Sequence, residues 1–312
     1  MISYTQIRDF KKVVVLYNRN SGKQIFASML ARVNELFKRL KLLVGSKRVQ
    51  LVDIISFTEL GAHIDNIVQE QVDWVIIAGG DGTIRTVVEE LWNRDYHPYI
   101  SVFPAGTVNL IAKELQLSNE PAKWMKRISK GVLQKVYLGR ANGHVFLTVA
   151  GIGFDSLVVD QVGELEKRLL NKMAYVLQST EIMRKELLFS NWRYSFQVRL
   201  DGEEQWRPAS SVIVGKSRYY AGRYSLFNEA SLGSPVFHIA LFQGHERADF
   251  LRYATCIAIE ALYLDNTIQV CQAKRLELRC NVEGFPVELD GDAITATPME
   301  IFMEPRPAVF IA

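Results

Sequence analysis

The chain has 312 residues, of which 48% are hydrophobic and 23% charged, so its composition is that of an ordinary globular protein with room for two domains. A formal net charge of +3 is too small to indicate a nucleic acid partner, although it favours an anionic membrane surface. The three cysteines form no CxxC pair, which argues against a disulfide scaffold and indicates a reduced, cytoplasmic setting.

The first part of the chain alternates between strand and helix patterns. Continuous apolar runs predict buried strands, and apolar residues at helical spacing predict the helices between them. In chain order the predicted elements are a strand at 13–17, a helix at 26–40, a strand near 49–57, a helix to residue 69, a strand at 74–78, a helix through 87–92 and a strand at 100–103. This order predicts an α/β domain with a parallel sheet that helices cover.

Polar or glycine-rich segments follow four of the predicted strands. These segments are residues 18–23, Thr58, residues 79–83 and the pair Gly106-Thr107. In an open parallel sheet, ligands bind outside the carboxyl ends of the strands. We therefore expect the four segments to line one edge of the sheet and to form its binding site.

The most informative of these segments is Gly79-Gly80-Asp81-Gly82-Thr83. A strand, a glycine turn and a helix in succession bring bare backbone N–H groups up to a phosphate. Asp81, held in that turn, is suited to bind a cation or to take a proton. The simpler interpretation is a tight turn without a ligand, but the Asp and Thr, with similar loops nearby, favour nucleotide phosphate binding.

The second half of the chain has a different sequence pattern, with short apolar or alternating runs that are typical of strands. Asn142-Gly143 stands between two apolar runs, which is a hairpin signal. Residues 194–200 alternate between apolar and polar before Asp201-Gly202, and a second strand is predicted from there to residue 214. Further apolar runs lie at 236–242, 268–271 and 276–280. Together they predict an antiparallel β-sandwich domain.

The two patterns divide the chain into two domains. We assign residues 1–135 to the α/β domain and residues 136–300 to the β-rich domain, and we expect residues 301–312 to return to the first domain. The stretch that comes closest to a membrane span, residues 253–264, is short and carries Glu260. We therefore interpret it as a buried helix, and no stretch is long and uncharged enough to span a bilayer.

Five motifs stand in an order that resembles the diacylglycerol kinase catalytic-domain family, and within it the soluble bacterial lipid kinases. The motifs are Asn18-x-x-Ser21-Gly22-Lys23, Gly79-Gly80-Asp81-Gly82-Thr83, Pro104-x-Gly106-Thr107-x-Asn109, Ala150-Gly151-Ile152-Gly153-Phe154-Asp155 and Asp290-Gly291-Asp292. The second motif alone is shared with NAD kinases and phosphofructokinases, whereas the five in order are much more specific. The resemblance covers nearly the whole chain.

This resemblance implies an ATP- and magnesium-dependent kinase that phosphorylates a lipid hydroxyl. It also implies a Rossmann-like, NAD-kinase-like fold for the α/β domain, with the active site between that domain and a β-rich, lipid-substrate domain. Carried over position by position, the implied nucleotide-binding residues are Asn18, Arg19, Asn20, Ser21, Gly22, Lys23, Thr58, Gly79, Gly80, Asp81, Gly82, Thr83, Ile84, Arg85, Thr86, Thr107, Asn109 and Lys113.

Two carboxylates carry the implied chemistry. The family's proton acceptor is the last carboxylate of an Asp-Gly-Glu turn, which here is Asp290-Gly291-Asp292, so Asp292 takes that role. Asp81 is the second catalytic residue and the metal ligand, because it can hold magnesium directly or through water. Without the resemblance, Asp290-Gly291 is a common hairpin turn.

The chain departs from the family pattern at several positions, including Leu110, Arg85, Thr86 and Tyr137, and two further departures bear directly on the predicted chemistry. Asp292 replaces a Glu and is one methylene shorter. Many bacterial members have an Asp-Asp-Gly run that helps to hold a structural magnesium, whereas this chain has Leu232-Gly233-Ser234-Pro235. Because that run has no carboxylate, we do not expect the structural magnesium site in this chain.

The expected function is phosphorylation of a lipid alcohol, with diacylglycerol as the default acceptor and phosphatidic acid as the product. The expected partner is a membrane surface that carries the lipid, and residues 164–185 and 218–224 are candidate contact segments, each with a purely structural alternative. Other acceptors stay open, namely a sphingoid base, ceramide, monoacylglycerol or NAD. A catalytically impaired nucleotide or lipid sensor and a homodimer stay open as well.

Overall fold

A computed structural model describes residues 3–18, 26–153, 194–222 and 224–312. The chain divides into two compact units, of which the first is Met1–Tyr137 with Arg306–Ala312 and the second is Leu138–Pro305. Three sequence-based predictions lie outside the described residues, namely the loop after Asn18, the segment 164–185 and the last two residues of the motif at 150–155.

The first unit alternates strands and helices, as the apolar patterns predict. In chain order its elements are β1 (Ser3–Tyr4), a 3-10 helix (Ile7–Asp9), β2 (Val13–Asn18), α1 (Phe26–Val44), β3 (Val49–Ile54), α2 (Phe57–Gln69), β4 (Trp74–Gly79), α3 (Asp81–Asn93), β5 (Tyr99–Pro104), α4 (Leu110–Glu114), α5 (Pro121–Ile128) and β6 (Val132–Val136).

The second unit consists mainly of short strands. Its elements are β7 (Gly139–Ala141), β8 (His144–Phe146), β9 (Val149–Ile152), β10 (Phe196–Leu200), β11 (Arg207–Ala209), β12 (Ser211–Gly215), β13 (Tyr219–Tyr220), β14 (Tyr224–Ser225), β15 (Phe237–Phe242), α6 (Arg247–Ala258), a 3-10 helix (Leu262–Leu264), β16 (Ile268–Ala273), β17 (Arg275–Cys280), β18 (Pro286–Leu289), β19 (Asp292–Ala296) and β20 (Met299–Met303). A final strand, β21 (Ala308–Ile311), belongs to the first unit.

The sheet of the first unit has the order β1-β6-β21-β5-β4-β2-β3. Strands β2, β3, β4 and β5 are parallel, while β6 runs antiparallel to β1 and β21. Every residue of β2 and of β4 is buried, because helices cover both faces of such a sheet. The predicted α/β domain with a mostly parallel sheet is therefore confirmed.

The C-terminal segment enters this sheet through β21, which pairs with β5 and β6. The segment that returns is shorter than the expected 301–312, because β20 pairs with β17 and β7 in the second unit. The return to the first unit begins at Arg306.

The second unit has two six-stranded antiparallel sheets, with the orders β11-β10-β17-β20-β7-β8 and β16-β15-β12-β9-β18-β19. Apolar side chains from both sheets form one core, which includes Phe146, Phe196, Phe237 and Leu289. The predicted antiparallel, sandwich-like domain is confirmed. The strand predicted to run from Gly202 to residue 214 is two strands, β11 and β12.

Strand β3 ends earlier than predicted, at Ile54 instead of near residue 57. Ser56 explains the difference, because its hydroxyl accepts a hydrogen bond from the N–H of Glu59 at 3.3 Å and so caps α2. Thr58 consequently lies in the first turn of α2 and not at a strand end.

The apolar stretch at 253–264 is also placed differently from the prediction of a buried helix. Helix α6 begins at Arg247 and ends at Ala258. Tyr253 is buried, but Leu251, Ile259 and Tyr263 are 59%, 56% and 82% exposed. One face of this stretch therefore packs on the sheet while the other faces solvent. Among the described residues, no helix combines the length and the apolar composition that crossing a bilayer requires.

Candidate functional site

Several candidate nucleotide residues in the described part of the chain lie at one edge of the first unit's sheet. Strands β2, β3, β4 and β5 run parallel, so their carboxyl ends lie at the same edge. Asn18, Gly79 and Pro104 are the last residues of three of these strands. The sequence prediction that the motifs converge at this edge agrees with the observed topology.

The segment from Gly79 to Thr83 is not the open turn that its glycines suggest. Gly79 ends β4, Gly80 is the N-cap in an extended conformation, and α3 begins at Asp81. Gly82 and Thr83 lie in the first helical turn. The N–H groups of that turn have no partner within the helix, which makes the start of α3 suitable for an anion.

The loop after β5 approaches the start of α3 through bare backbone. A Cβ placed on Gly106 would lie 2.5 Å from the Cα of Gly80, and one placed on Gly80 would lie 3.2 Å from the Cα of Gly106. Real Cβ atoms do not come this close, so only glycine fits Gly106 without moving the backbone. The two loops thus form a backbone cradle in front of α3, a surface of the kind that accepts a phosphate.

Asp81 has a structural role that the sequence did not reveal. Its carboxylate accepts hydrogen bonds from the N–H groups of Leu110 at 2.9 Å and Ile111 at 3.2 Å. These donors belong to the first turn of α4, so Asp81 caps that helix from outside it. A carboxylate has about four lone-pair directions, so a carboxylate that caps a helix is also able to contact a hydrated cation.

Two asparagines organise the loops around the cradle. The amide of Asn18 donates to the hydroxyl of Thr83 at 2.8 Å, and both residues are buried. The side chain of Asn109 accepts from the N–H of Gly106 at 2.9 Å and donates to its carbonyl at 2.7 Å. Asn109 has a left-handed backbone with φ 55°, a conformation that Asn tolerates well. These motif positions therefore fix the loop conformations.

The side chains of residues 84–86 contact other parts of the protein, which favours a structural role over a ligand contact. Ile84 is fully buried, so a ligand could reach only its backbone. Arg85 is also buried, and its guanidinium contacts Glu89 at 2.9 Å and the Thr86 hydroxyl at 3.2 Å. The Thr86 hydroxyl donates to the carbonyl of Gly82 at 2.9 Å.

The other predicted contacts are exposed or lie outside the described part of the chain. Thr58, Thr107 and Lys113 are exposed on α2, on the loop after β5 and on α4. Structural support for Arg19, Asn20, Ser21, Gly22 and Lys23 cannot be drawn from the described residues, because these five lie outside them.

In the second unit, Asp290-Gly291 forms the two-residue turn between β18 and β19. Both residues have positive φ, 51° and 92°, which is the pattern of a type I′ hairpin turn. The hairpin interpretation of this dipeptide is therefore correct at the level of the backbone.

The Asp290 carboxylate is buried and holds the segment that joins β8 to β9. It accepts from the N–H groups of Leu147 at 2.7 Å, Thr148 at 2.7 Å and Val149 at 3.1 Å, and from the Thr148 hydroxyl at 2.5 Å. Burial raises the pKa of Asp290, while these four donors act in the opposite direction. Sequence reasoning missed this anchor, because its donors lie about 140 residues away and carry no distinctive side chain.

Asp292, the predicted proton acceptor, is the first residue of β19 and is half-buried. It follows the turn that Asp290 anchors. The buried carboxylate of Glu288 supports the same turn, because it accepts a hydrogen bond from the N–H of Gly291. The fold therefore presents Asp292 from a turn whose conformation is fixed on both sides.

The residues of the second unit do not fit a structural magnesium at Leu232-Gly233-Ser234-Pro235. The ammonium group of Lys216 donates hydrogen bonds to the carbonyls of Ser234 and Val236. A cation is thus already present at these oxygens, as a side chain. Within the described ranges, no three His, Cys, Asp or Glu side chains are grouped so that they could hold a metal ion.

Two family models match the chain in succession. Residues 12–141 match the diacylglycerol kinase catalytic domain, and residues 148–311 match the YegS C-terminal NAD kinase beta sandwich-like domain. The second model alone covers more than half of the chain.

Relatives and solved structures agree with these matches. The chain is 26% identical to a diacylglycerol kinase of Bacillus subtilis (strain 168), over 90% of each protein. It is 23% identical to a diacylglycerol kinase of Staphylococcus carnosus (strain TM300), over 90% of this chain and 89% of the relative. A crystal structure of a diacylglycerol kinase from Bacillus anthracis str. Sterne shares the fold, with a TM-score of 0.73 at 21% identity over 97% of each chain. The two-unit fold, the ordered motifs and the two family models together show that this chain belongs to the diacylglycerol kinase catalytic-domain family of lipid kinases.

Proposed function

We propose that the protein is an ATP-dependent kinase that transfers the γ-phosphoryl group to a lipid hydroxyl, with diacylglycerol as the first candidate acceptor. The observation that carries this proposal is the approach of Gly80 and Gly106 in front of α3, where backbone N–H groups are available to a phosphate. Membership of a lipid kinase family supports the lipid acceptor.

In this proposal the first unit binds and orients the nucleotide. Phosphoryl transfer depends mainly on positioning and on neutralisation of charge. The N–H groups at the start of α3 hold phosphate oxygens, while Asp81, at the same helix start, holds magnesium through water. Magnesium, when bound, neutralises phosphate charge. Asn18 and Asn109 keep the surrounding loops in the shape that the phosphates require.

The second unit supplies the proton acceptor. Asp290 is unsuited to that role, since four hydrogen bonds occupy its buried carboxylate. Asp292 is half-buried and directly follows the anchored turn, so it takes the proton of the lipid hydroxyl as that oxygen attacks phosphorus.

We also propose that the protein reaches its lipid by docking on the membrane surface from the aqueous phase. The formal net charge of +3 favours an anionic surface, and the solvent-facing side of α6 and the 3-10 helix after it carries Leu251, Ile259, Tyr263 and Leu264. Sedimentation with vesicles that contain an anionic lipid tests this step. Binding that persists undiminished in a Tyr263→Glu, Leu264→Glu variant would exclude this face.

The primary experiment measures the transfer of labelled γ-phosphate from ATP to a panel of acceptors in mixed micelles with magnesium. The panel contains diacylglycerol, monoacylglycerol, ceramide, a sphingoid base and NAD. A labelled lipid that is lost in the Asp292→Asn variant supports the proposal, whereas label on NAD alone contradicts it. ATP binding without transfer to any acceptor would favour the impaired sensor that the shortened Asp292 also suggests.

A second experiment tests the cradle itself. Gly106→Ala places a Cβ 2.5 Å from the Gly80 backbone, so we expect ATP affinity to fall by about tenfold or more. Gly61→Ala on α2 is the matched control, because its Cβ would make only an ordinary 3.5 Å contact with the Arg94 side chain. Equal ATP affinity in the two variants would remove the observation on which the proposal depends.

A further inference from the structure

Lys216 is a fully buried lysine that directly follows β12. Its ammonium group donates to the carbonyl of Ser234 and, at 3.4 Å, to the carbonyl of Val236. Taking an ammonium group out of water costs several kcal/mol unless oxygens replace its hydration shell. The oxygens of this loop provide that replacement.

The loop that Lys216 contacts leads directly into β15. Backbone carbonyls turned towards one point are ligands of the kind that hard divalent cations use, usually together with carboxylates. Residues 231–235 contain no carboxylate. A charge carried by the chain itself therefore occupies the position at which these carbonyls converge.

The backbone of Lys216 links the same residue to the Asp290 turn. The N–H groups of Lys216 and Ser217 both donate to the carbonyl of Thr148, at 2.7 Å and 3.2 Å. Thr148 in turn donates to Asp290 through its N–H and its hydroxyl. Lys216 and Thr148, joined by hydrogen bonds, thus connect the loop at Ser234 with the turn that precedes Asp292.

The neighbouring His238 lies inside the same environment. Burial lowers the pKa of His238, the carboxylate of Glu229 acts in the opposite direction, and the charge of Lys216 lowers it further. His238 is itself buried, on β15 two residues beyond Val236. The imidazole is thus disfavoured as a second cation beside Lys216.

We propose that the Lys216 ammonium is a built-in cation of the second unit that replaces a free divalent ion. It fixes the loop at residues 231–236 and, through Thr148, the turn that presents Asp292. Lys216 is accordingly a positioning residue, and this part of the inference rests on the proposed function. The second unit needs no divalent ion at this loop.

The first test measures thermal unfolding of the full chain without nucleotide, in a chelator and in magnesium. We expect the same midpoint for the wild type in both conditions. Lys216→Met should lower the midpoint by roughly 5 °C, because the carbonyls of the loop lose their donor. Lys274→Met, the same change at an exposed lysine of this unit, should leave the midpoint unchanged.

The second test exchanges the tethered cation for a free one. The double variant Lys216→Asn, Ser234→Asp removes the ammonium and adds two oxygen ligands beside the loop carbonyls. Its midpoint should rise saturably with magnesium or calcium, while that of Lys216→Met should not. Recovery of the wild-type midpoint in the metal-loaded double variant indicates a charge role, because a bound ion replaces the positive charge of Lys216 but not the volume of its side chain.

Two results would overturn the inference. One is a saturable rise in the wild-type midpoint with magnesium, which would show that a divalent ion binds and stabilises the protein without nucleotide. The other is a Lys216→Met variant as stable as Lys274→Met. Should Lys216→Met fail to fold, the double variant in magnesium still decides the question.

Two further readouts separate this inference from the proposed function. Amide exchange at residues 147–149 should accelerate in Lys216→Met and recover in the metal-loaded double variant, whether or not the protein is a kinase. In an active enzyme, Lys216→Met should lower kcat by about tenfold with an unchanged KM for ATP, because the nucleotide residues lie in the other unit. A wild type without transferase activity would contradict the proposed function alone.

Discussion

The chain contains two Asp-Gly pairs at its candidate site, and they adopt different structures. Asp81-Gly82 begins helix α3, whereas Asp290-Gly291 forms a type I′ turn with both φ angles positive. The difference comes from the flanking sequence. Apolar residues at helical spacing follow Asp81, and strand residues flank the second pair on both sides. An Asp-Gly dipeptide therefore does not predict a conformation by itself, because the flanking residues decide between a helix start and a turn.

The two aspartates nevertheless share a function in the fold. Asp81 accepts hydrogen bonds from the N–H groups of Leu110 and Ile111, and Asp290 accepts hydrogen bonds from the N–H groups of residues 147–149. Each carboxylate thereby ties its own loop to a segment distant in sequence. Asp81 is half-buried, while Asp290 is buried and accepts hydrogen bonds from four donors. We therefore expect substitutions to affect activity most at Asp81 and stability most at Asp290.

The largest expected effect is that of Asp81→Ala on turnover. Loss of the carboxylate beside the phosphates should lower kcat by about 1000-fold or more, while loss of the α4 cap should cost only about 1 kcal/mol of unfolding free energy. Asp81→Asn is the control, since its amide oxygen can still accept one N–H. Steady-state kinetics and urea unfolding measure both quantities. Full activity in the Asn variant would reduce Asp81 to a helix cap.

The next effect is that of Asp290→Asn on stability. Asn tolerates positive φ, so the turn is preserved, but its amide nitrogen must face a backbone N–H that now lacks an acceptor. We expect the free energy of unfolding to fall by about 3 kcal/mol. Urea unfolding measures the change, and Asp292→Asn, which leaves the anchor intact, is the control. A loss below about 1 kcal/mol would show that the four bonds are not a stabilising anchor.

The third effect isolates catalysis in the second unit. Asp292→Asn should lower kcat by about 100-fold while unfolding changes by less than about 0.5 kcal/mol. Asp292→Glu lengthens the side chain by one methylene, to the Glu that the family resemblance implies, and should keep or raise the wild-type rate. Single-turnover phosphoryl transfer measures the chemical step. An Asn variant with the wild-type rate would leave Asp292 as a turn residue only.

The arrangement of the sheet follows from local patterns in the sequence. Continuous apolar runs identify the parallel strands, and the turns at 142–143 and 201–202 stand where the sequence places them. Parallel strands end at one edge, so the location of the candidate nucleotide site follows from their order alone.

The details of the site depend on contacts that no local pattern records. The donors to Asp81 and Asp290 are backbone N–H groups of ordinary residues, about 30 and 140 positions away. The glycines at 79–82 suggest a longer turn, but the N-cap at Gly80 lets α3 begin at once. The sequence around Lys216 does not distinguish it from a surface lysine, because its burial depends on the loop carbonyls to which it donates.

A third aspartate extends the comparison, because its carboxylate is held chiefly by a side-chain cation. Asp265 is buried and accepts hydrogen bonds from Arg252 at 2.9 Å and from the Thr267 hydroxyl at 2.6 Å. The bond from Arg252, followed by the bond from Thr267, lowers the pKa of Asp265 to about 2. The unfolded chain holds that proton up to about pH 3.9.

This pKa gives the smallest expected effect, a dependence of stability on pH. Because the pKa is lower in the folded protein, the stabilisation from Asp265 is complete above about pH 4 and disappears as the pH falls towards 2. Asp265→Asn should therefore lower the unfolding midpoint by a few degrees at neutral pH, and the difference from the wild type should shrink below pH 4. Thermal unfolding from pH 7 to pH 3 measures it, with the exposed Asp95→Asn as control. A difference that stays constant across this range would mean that Asp265 contributes through packing, because only the ionised carboxylate can gain from the partly exposed Arg252.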